Sequence, residues 1–136
     1  MRYLLDVNTL IALGAVEHEF HARVAAWVRR QRATGSVQLL TCSITELGFV
    51  RILAQTPAYR FTITTAQALL LRLKTEDPTL FIFLADTHDI SRMPGWVSAA
   101  KQLTDGHLVQ LAKSNGAMLA TLDKAIPGAF LIPANR

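Results

Sequence analysis

The sequence holds a single cysteine, Cys42, so no internal disulfide is available and the packed core must hold the fold. Its longest apolar stretches, LIALGAV and LFIFLA, fall far short of the ~20 residues that span a bilayer. The opening MRYLLDVNTL lacks the basic-then-apolar layout of a secretory leader. These absences predict a soluble, cytoplasmic protein with no membrane partner. No repeat, low-complexity tract or Pro/Gly/Ser-rich linker divides the chain, which predicts one domain over residues 1–136. The four histidines, His18, His21, His88 and His107, are not gathered with cysteine as a soft-metal site requires. They read as structural or surface residues, and Cys42 as part of the core.

What is present leans basic and apolar. Fourteen Lys and Arg against ten Asp and Glu give a net charge of +4, although no basic run exceeds Arg29-Arg30. The balance favours a polyanionic partner, with nucleic acid the first candidate. With 51% apolar residues and a mean hydropathy of +0.27, the chain carries more apolar surface than one small core readily hides. An oligomer or a bound partner would cover the rest.

Strand and helix patterns alternate along the chain. RYLLD reads as a strand, VNTLIALGAV as a helix capped by Asn8 or Thr9, and HEFHARVAAWVRRQRATG as a helix stopped by Gly35. SVQLLT is a second strand. SITELGFVRILAQ and TTAQALLLRLKTE are helices closed before Pro57 and Pro78, and TLFIFLA is a buried third strand. LTDGHLVQLAKSNG reads as a helix capped by Thr104 and stopped by Gly116, followed by the strand AMLATLD and a weak fifth, AFLIP. The alternation predicts an α/β domain in which helices flank a central, mainly parallel sheet.

In such sheets ligands bind beyond the carboxyl ends of the strands. Asp6 ends the first strand and Asp123 the fourth, Asp105 opens the helix before the fourth, and Glu46 lies in the first turn after the second. Four carboxylates from distant points of the chain thus fall where they can meet on one rim. Each has a plainer explanation. Glu46 stands at capping-box spacing from Ser43, Asp105 suits a helix start by its charge, and Asp6 and Asp123 can serve as turn acids. Asn8 follows Asp6 by two residues and Thr121 precedes Asp123 by two, so each strand end offers an acid and an oxygen-bearing neighbour on one side.

LLDVNTLIAL at the start, the helix from His18 to Trp27, SITELGFVRIL, the run LTDGHLVQLAKSNGAMLATLD and the closing strand with Pro133 together carry a resemblance. The sequence is similar to the PIN-domain ribonucleases, and among them to the VapC toxins of bacterial toxin–antitoxin pairs. The resemblance covers nearly the whole chain. One departure is Gly106, where the family more often has alanine; a glycine inside a helix costs about 1 kcal/mol and is expected to loosen that turn.

The resemblance implies a three-layer PIN-like fold and a metal-dependent endoribonuclease with Asp6, Glu46, Asp105 and Asp123 as its acidic cluster. Crowded carboxylates need a cation, and hard oxygen ligands with open positions suit Mg²⁺ or Mn²⁺. On this reading Asp6 and Asp105 are the principal metal ligands and Asp123 a third. Glu46 holds or deprotonates the attacking water, while Asn8 and Thr121 orient the carboxylates. Arg51 contacts phosphate or pairs with an acid. The implied partners are RNA, a VapB-type antitoxin that keeps the enzyme inactive, and a second copy in a homodimer. Two rival readings are a doubly wound phosphohydrolase using Asp6 as nucleophile and a non-catalytic module that keeps only the fold. The first usually has a second acid where this chain has Asn8.

Overall fold

Five parallel strands form the centre of the computed structural model, which describes residues 1–134. Asn135 and Arg136, the end of the expected domain, lie outside the described residues. The strands are β1 (Arg2–Leu5), β2 (Gln38–Cys42), β3 (Phe81–Leu84), β4 (Met118–Thr121) and β5 (Phe130–Leu131). The helices are α1 (Val7–Gly14), α2 (His21–Ala33), α3 (Ser43–Gln55), α4 (Ile63–Glu76) and α5 (Leu103–Ser114). The expected alternation is present, and the sheet is parallel throughout.

The spatial order β3-β2-β1-β4-β5 puts β1 at the centre, with the chain winding outward first to one side and then to the other. The switch falls between β1 and β4, where the connections leave the strand ends in opposite directions and open a crevice. Leu4 of β1 pairs with Leu40 on one side and Leu119 on the other. Because side chains alternate across a strand, Leu4, Leu40 and Leu119 face a core closed by Leu108, Leu111 and Ala112 of α5. Tyr3, Leu5, Leu39 and Ala120 face the opposite core, filled from α1 to α4 by Ile11, Trp27, Phe49 and Leu70 among others. Three layers result, with four helices on one face and α5 on the other. Cys42 is fully buried in the α5 core.

The helix starts depart from expectation in instructive ways. α1 is capped neither by Asn8 nor by Thr9: Asp6 holds the extended cap position, and its Oδ1 accepts the Thr9 N–H at 2.9 Å. α2 begins only at His21, after a turn in which the Phe20 N–H donates to Nδ1 of His18. The capping box of α3 is made not by Ser43 and Glu46 but one residue earlier. Cys42 is the cap, and Thr45 Oγ1 accepts the Cys42 N–H at 3.0 Å. α5 has no side-chain cap, so Thr104 lies inside its first turn; a 3₁₀ turn at Ala100–Gln102 leads into it. Gly106 lies within the regular first turns of α5 and is buried there. A Cβ there would stand 2.4 Å from Cγ2 of Val97 and 3.0 Å from Sδ of Met93, so the glycine lets the preceding loop pack on α5.

Candidate active site

The crevice between β1 and β4 collects carboxylates from three elements. Asp6 leaves β1 through a backbone hydrogen bond to Ala120 O of β4, and its side chain is buried with both oxygens engaged. Oδ1 takes the Thr9 N–H, and Oδ2 takes the hydroxyl of Thr121 at 2.6 Å. The same Thr121 oxygen accepts the Asp123 N–H at 3.0 Å, while Asp123 Oδ1 accepts the Ala125 N–H at 2.8 Å in a tight Asx turn. One hydroxyl therefore links the ends of β1 and β4 and sets the direction of both acids.

Asp105 approaches from the first turn of α5, on the other face of the sheet. It lines a cavity of about 290 Å³ together with Asp6, Asn8, Thr104 and Asp123. Burial raises its carboxyl above the ordinary range, and the negative charges of Asp6 and Asp123 raise it further. Among the described residues, no three acidic, histidine or cysteine side chains stand close enough together, as they are placed, to hold a metal ion.

Glu46 stands apart from this trio. Its Oε2 accepts the Thr41 hydroxyl at 2.6 Å and an N–H of the Lys74 ammonium from the last turn of α4. It lines a separate groove of about 460 Å³ between α3 and α4, whose other walls are largely apolar: Leu47, Val50, Ile63, Leu70, Leu71 and Phe83. Asn8 lines the acidic cavity, but its Oδ1 accepts from Nε2 of His18 at 2.8 Å and, among the described residues, it is bonded to no carboxylate. His18 Nδ1 accepts a backbone N–H, so the ring is the neutral Nε2-protonated tautomer. Burial lowers the His18 pKa, with a smaller lowering from His21 and an opposing rise from Glu19. Arg51 is exposed on α3 and, among the described residues, pairs with no acid.

Four residues make contacts at this end of the sheet that the sequence does not announce: Lys74, Thr41, Asp86 and His107. Asp86, just beyond β3, receives the imidazole of His107 and the backbone N–H of His88. His107 lies two residues after Asp105 on α5, which brings this pair to the same end of the sheet. Asp86 and His107 carry no motif of their own. Lys74 sits in RLKTE, which reads as an ordinary solvated helix end, and Thr41 reads only as a strand residue.

A parallel sheet with a switch point between β1 and β4, and aspartates from β1, β4 and α5 at that point, defines a three-layer α/β domain of the PIN-like kind. No family model matches the chain. Curated relatives do match along almost all of it. The chain is 34% identical to Ribonuclease VapC44 of Mycobacterium tuberculosis over 95% of its own length and 94% of that protein's. It is 33% identical to Ribonuclease VapC38 of the same organism, over 90% and 86% of the two chains. A third relative, Ribonuclease VapC39, is 34% identical over 93% and 91%. The chain belongs to the VapC family of PIN-domain ribonuclease toxins.

Proposed function

We propose that this chain is a metal-dependent endoribonuclease, the toxin of a toxin–antitoxin pair, working as one nuclease unit over residues 1–136. The observation that carries the reading is the trio Asp6, Asp105 and Asp123 around one cavity, with Asp105 raised by its own burial and by the other two. Kinship with the VapC ribonucleases supplies the substrate class.

The donor set fits a hard divalent cation. It consists of carboxylate oxygens from three rigid elements, one of them half-buried and repelled by its neighbours, with a hydroxyl orienting the first. Asp6, Asp105 and Asp123 would hold Mg²⁺ or Mn²⁺. Such an ion supplies charge neutralisation at the scissile phosphate and acidifies a bound water. The chain's own residues do the rest. Thr121 fixes Asp6, and the Asx turn fixes Asp123. Glu46 is the base we assign although it lines the neighbouring groove and not the cavity: it takes the proton of the attacking water as the water oxygen bonds to phosphorus, and the leaving ribose oxygen departs with a proton from solvent.

The phosphohydrolase reading is disfavoured because the second acid such enzymes usually carry two residues after the nucleophile is Asn8 here. The partner we assign is a VapB-type antitoxin, supported by the exposed Leu47, Ile63, Leu71 and Phe83 along the α3–α4 groove. A second copy of the chain covers part of the remaining apolar surface as a homodimer. The net charge of +4 suits RNA. No helix among the described residues is long and apolar enough to cross a membrane. We place the activity in the cytoplasm because that is where an RNA substrate is met.

Incubation with RNA and Mn²⁺, with and without chelator and in parallel with a phosphomonoester, tests the reading. RNA cleavage abolished by chelator is expected. Turnover of the phosphomonoester alone would favour the phosphohydrolase, and no turnover at all would leave a binding module.

A further inference from the structure

Among the described residues, Glu46 is the one acid of the expected cluster that meets a cation, and it does so through a single oxygen. Both donors land on the same oxygen. Oε2 takes the Thr41 hydroxyl from β2 and the Lys74 ammonium from α4, while Oε1 has no partner among the described residues. An ion pair that serves only to join two helices gains most by satisfying both carboxylate oxygens. A carboxylate meant to receive a proton needs one oxygen held and the other free, as catalytic bases oriented by a third group generally are.

Lys74 is itself constrained. Its ammonium stands 5.4 Å from the centroid of the Phe83 ring, and its side chain is only 19% exposed. A lysine at a helix end ordinarily extends into water, so its place here reflects contacts on both sides. Glu46, Thr41 and Phe83 come from α3, β2 and β3, and Lys74 joins them from α4.

We propose that Lys74 is a positioning residue for cleavage: it holds Glu46 through Oε2 so that Oε1 is presented to the attacking water. This inference rests on the ribonuclease reading and on the role assigned to Glu46 within it. A different role for Lys74, as a direct contact to RNA phosphate, would require its ammonium to leave Glu46 and would act on substrate binding.

Steady-state cleavage of a single-stranded RNA reporter that the wild-type protein cuts in Mn²⁺ separates these roles. The variants are Lys74→Met, which keeps the stem over Phe83 without the charge, Lys74→Arg, Glu46→Gln, the double variant K74M/E46Q, and Asp6→Asn. Thermal melting of each is followed alongside. K74M should lower kcat about tenfold or more with KM within about twofold, because orientation and not binding is lost. K74R should recover most of kcat, and K74M should cost nothing further in the E46Q background. A K74M enzyme with unchanged or higher kcat overturns the proposal, as does a loss expressed in KM or one that adds fully to that of E46Q. If K74M melts below the assay temperature, the K74R comparison decides, and K74R as slow as E46Q overturns it. A wild type active while D6N is dead and K74M unimpaired removes this inference alone. A wild type that cuts no RNA removes the ribonuclease reading and this inference with it.

Discussion

Thr121 donates its hydroxyl to Oδ2 of Asp6 across 115 positions of sequence, and its own Oγ1 receives the backbone N–H of Asp123. The contact joins β1 to β4 at the switch point of the sheet, with Thr121 and Asp6 both buried. A buried carboxylate oxygen deprived of its donor incurs the desolvation cost of an unmade hydrogen bond, about 1–3 kcal/mol. Thr121→Val, which preserves shape, should lower stability by about that amount in urea unfolding and reduce the stabilisation by Mn²⁺. Unchanged stability and metal response in T121V would mean that Asp6 is not oriented by this bond.

Asp105 has the opposite sign. Burial and the nearby Asp6 and Asp123 raise its folded-state pKa above the unfolded value, so its protonated form favours folding. That contribution is fully present below the unfolded value and is lost as pH rises through the folded one. At neutral pH the ionised carboxylate is therefore a cost. Asp105→Asn should raise the metal-free melting temperature at pH 7 and lose that advantage at pH 3. Mn²⁺, by binding the folded state, should raise the wild-type melting temperature, and D105N should abolish most of that rise. A metal-free D105N less stable than wild type at pH 7 would contradict the repulsion.

The architecture was legible because its signals are local. Leu4, Leu40 and Leu119 lie in strands with apolar residues on both faces, and the breaks at Pro57 and Pro78 fall where proline ends a helix. Helix starts were less legible, since Asp6, Asn8 and Thr9 all suit a cap and only the turn of the chain after β1 selects Asp6. The shift of the α3 cap from Ser43 to Cys42 has the same origin: β2 runs through Cys42, so the helix starts one residue earlier than the Ser43–Glu46 spacing implies. The partners of Glu46 and Asn8 could not be read at all. Lys74 is 28 positions from Glu46, and His18 reaches Asn8 only because α1 ends in a turn that folds back. Such contacts depend on helix packing, which residue spacing does not encode.

At Glu46 the structure revises the expected energetics. A capping residue, or an acid repelled by other acids, would make Glu46→Gln neutral or stabilising. An acid paired with Lys74 predicts a modest loss, about 1 kcal/mol or less because the pair is partly exposed. RNA cleavage by E46Q should fall by roughly a hundredfold or more. Ser43→Ala should leave stability within about 0.5 kcal/mol, since Ser43 makes no capping bond, whereas Thr45→Ala should cost about 1–2 kcal/mol. Stability that drops in S43A and not in T45A would restore the displaced cap assignment.

Gly48 controls how closely α3 approaches the start of α1. A Cβ at this buried position would stand 2.6 Å from Cγ2 of Val7 and 3.0 Å from its Cγ1. Val7 directly follows Asp6 and is stiff at χ1, so a methyl group there is relieved only by moving the backbone that carries the carboxylate or by separating the helices. Alanine gains about 1 kcal/mol in helix propensity, but overpacking of this kind costs about 1–3 kcal/mol. Gly48→Ala should therefore lower net stability and weaken the Mn²⁺-dependent rise in melting temperature. Val7→Ala removes both offending methyl groups and costs some stability of its own through lost packing. In the double variant G48A/V7A the two losses should not add, because the clash is gone and only the propensity gain and the cavity remain. A double-mutant cycle in urea measures this directly, with a favourable coupling of about 1 kcal/mol or more expected for residues in contact. Strict additivity would mean that Val7 is not what keeps this position glycine.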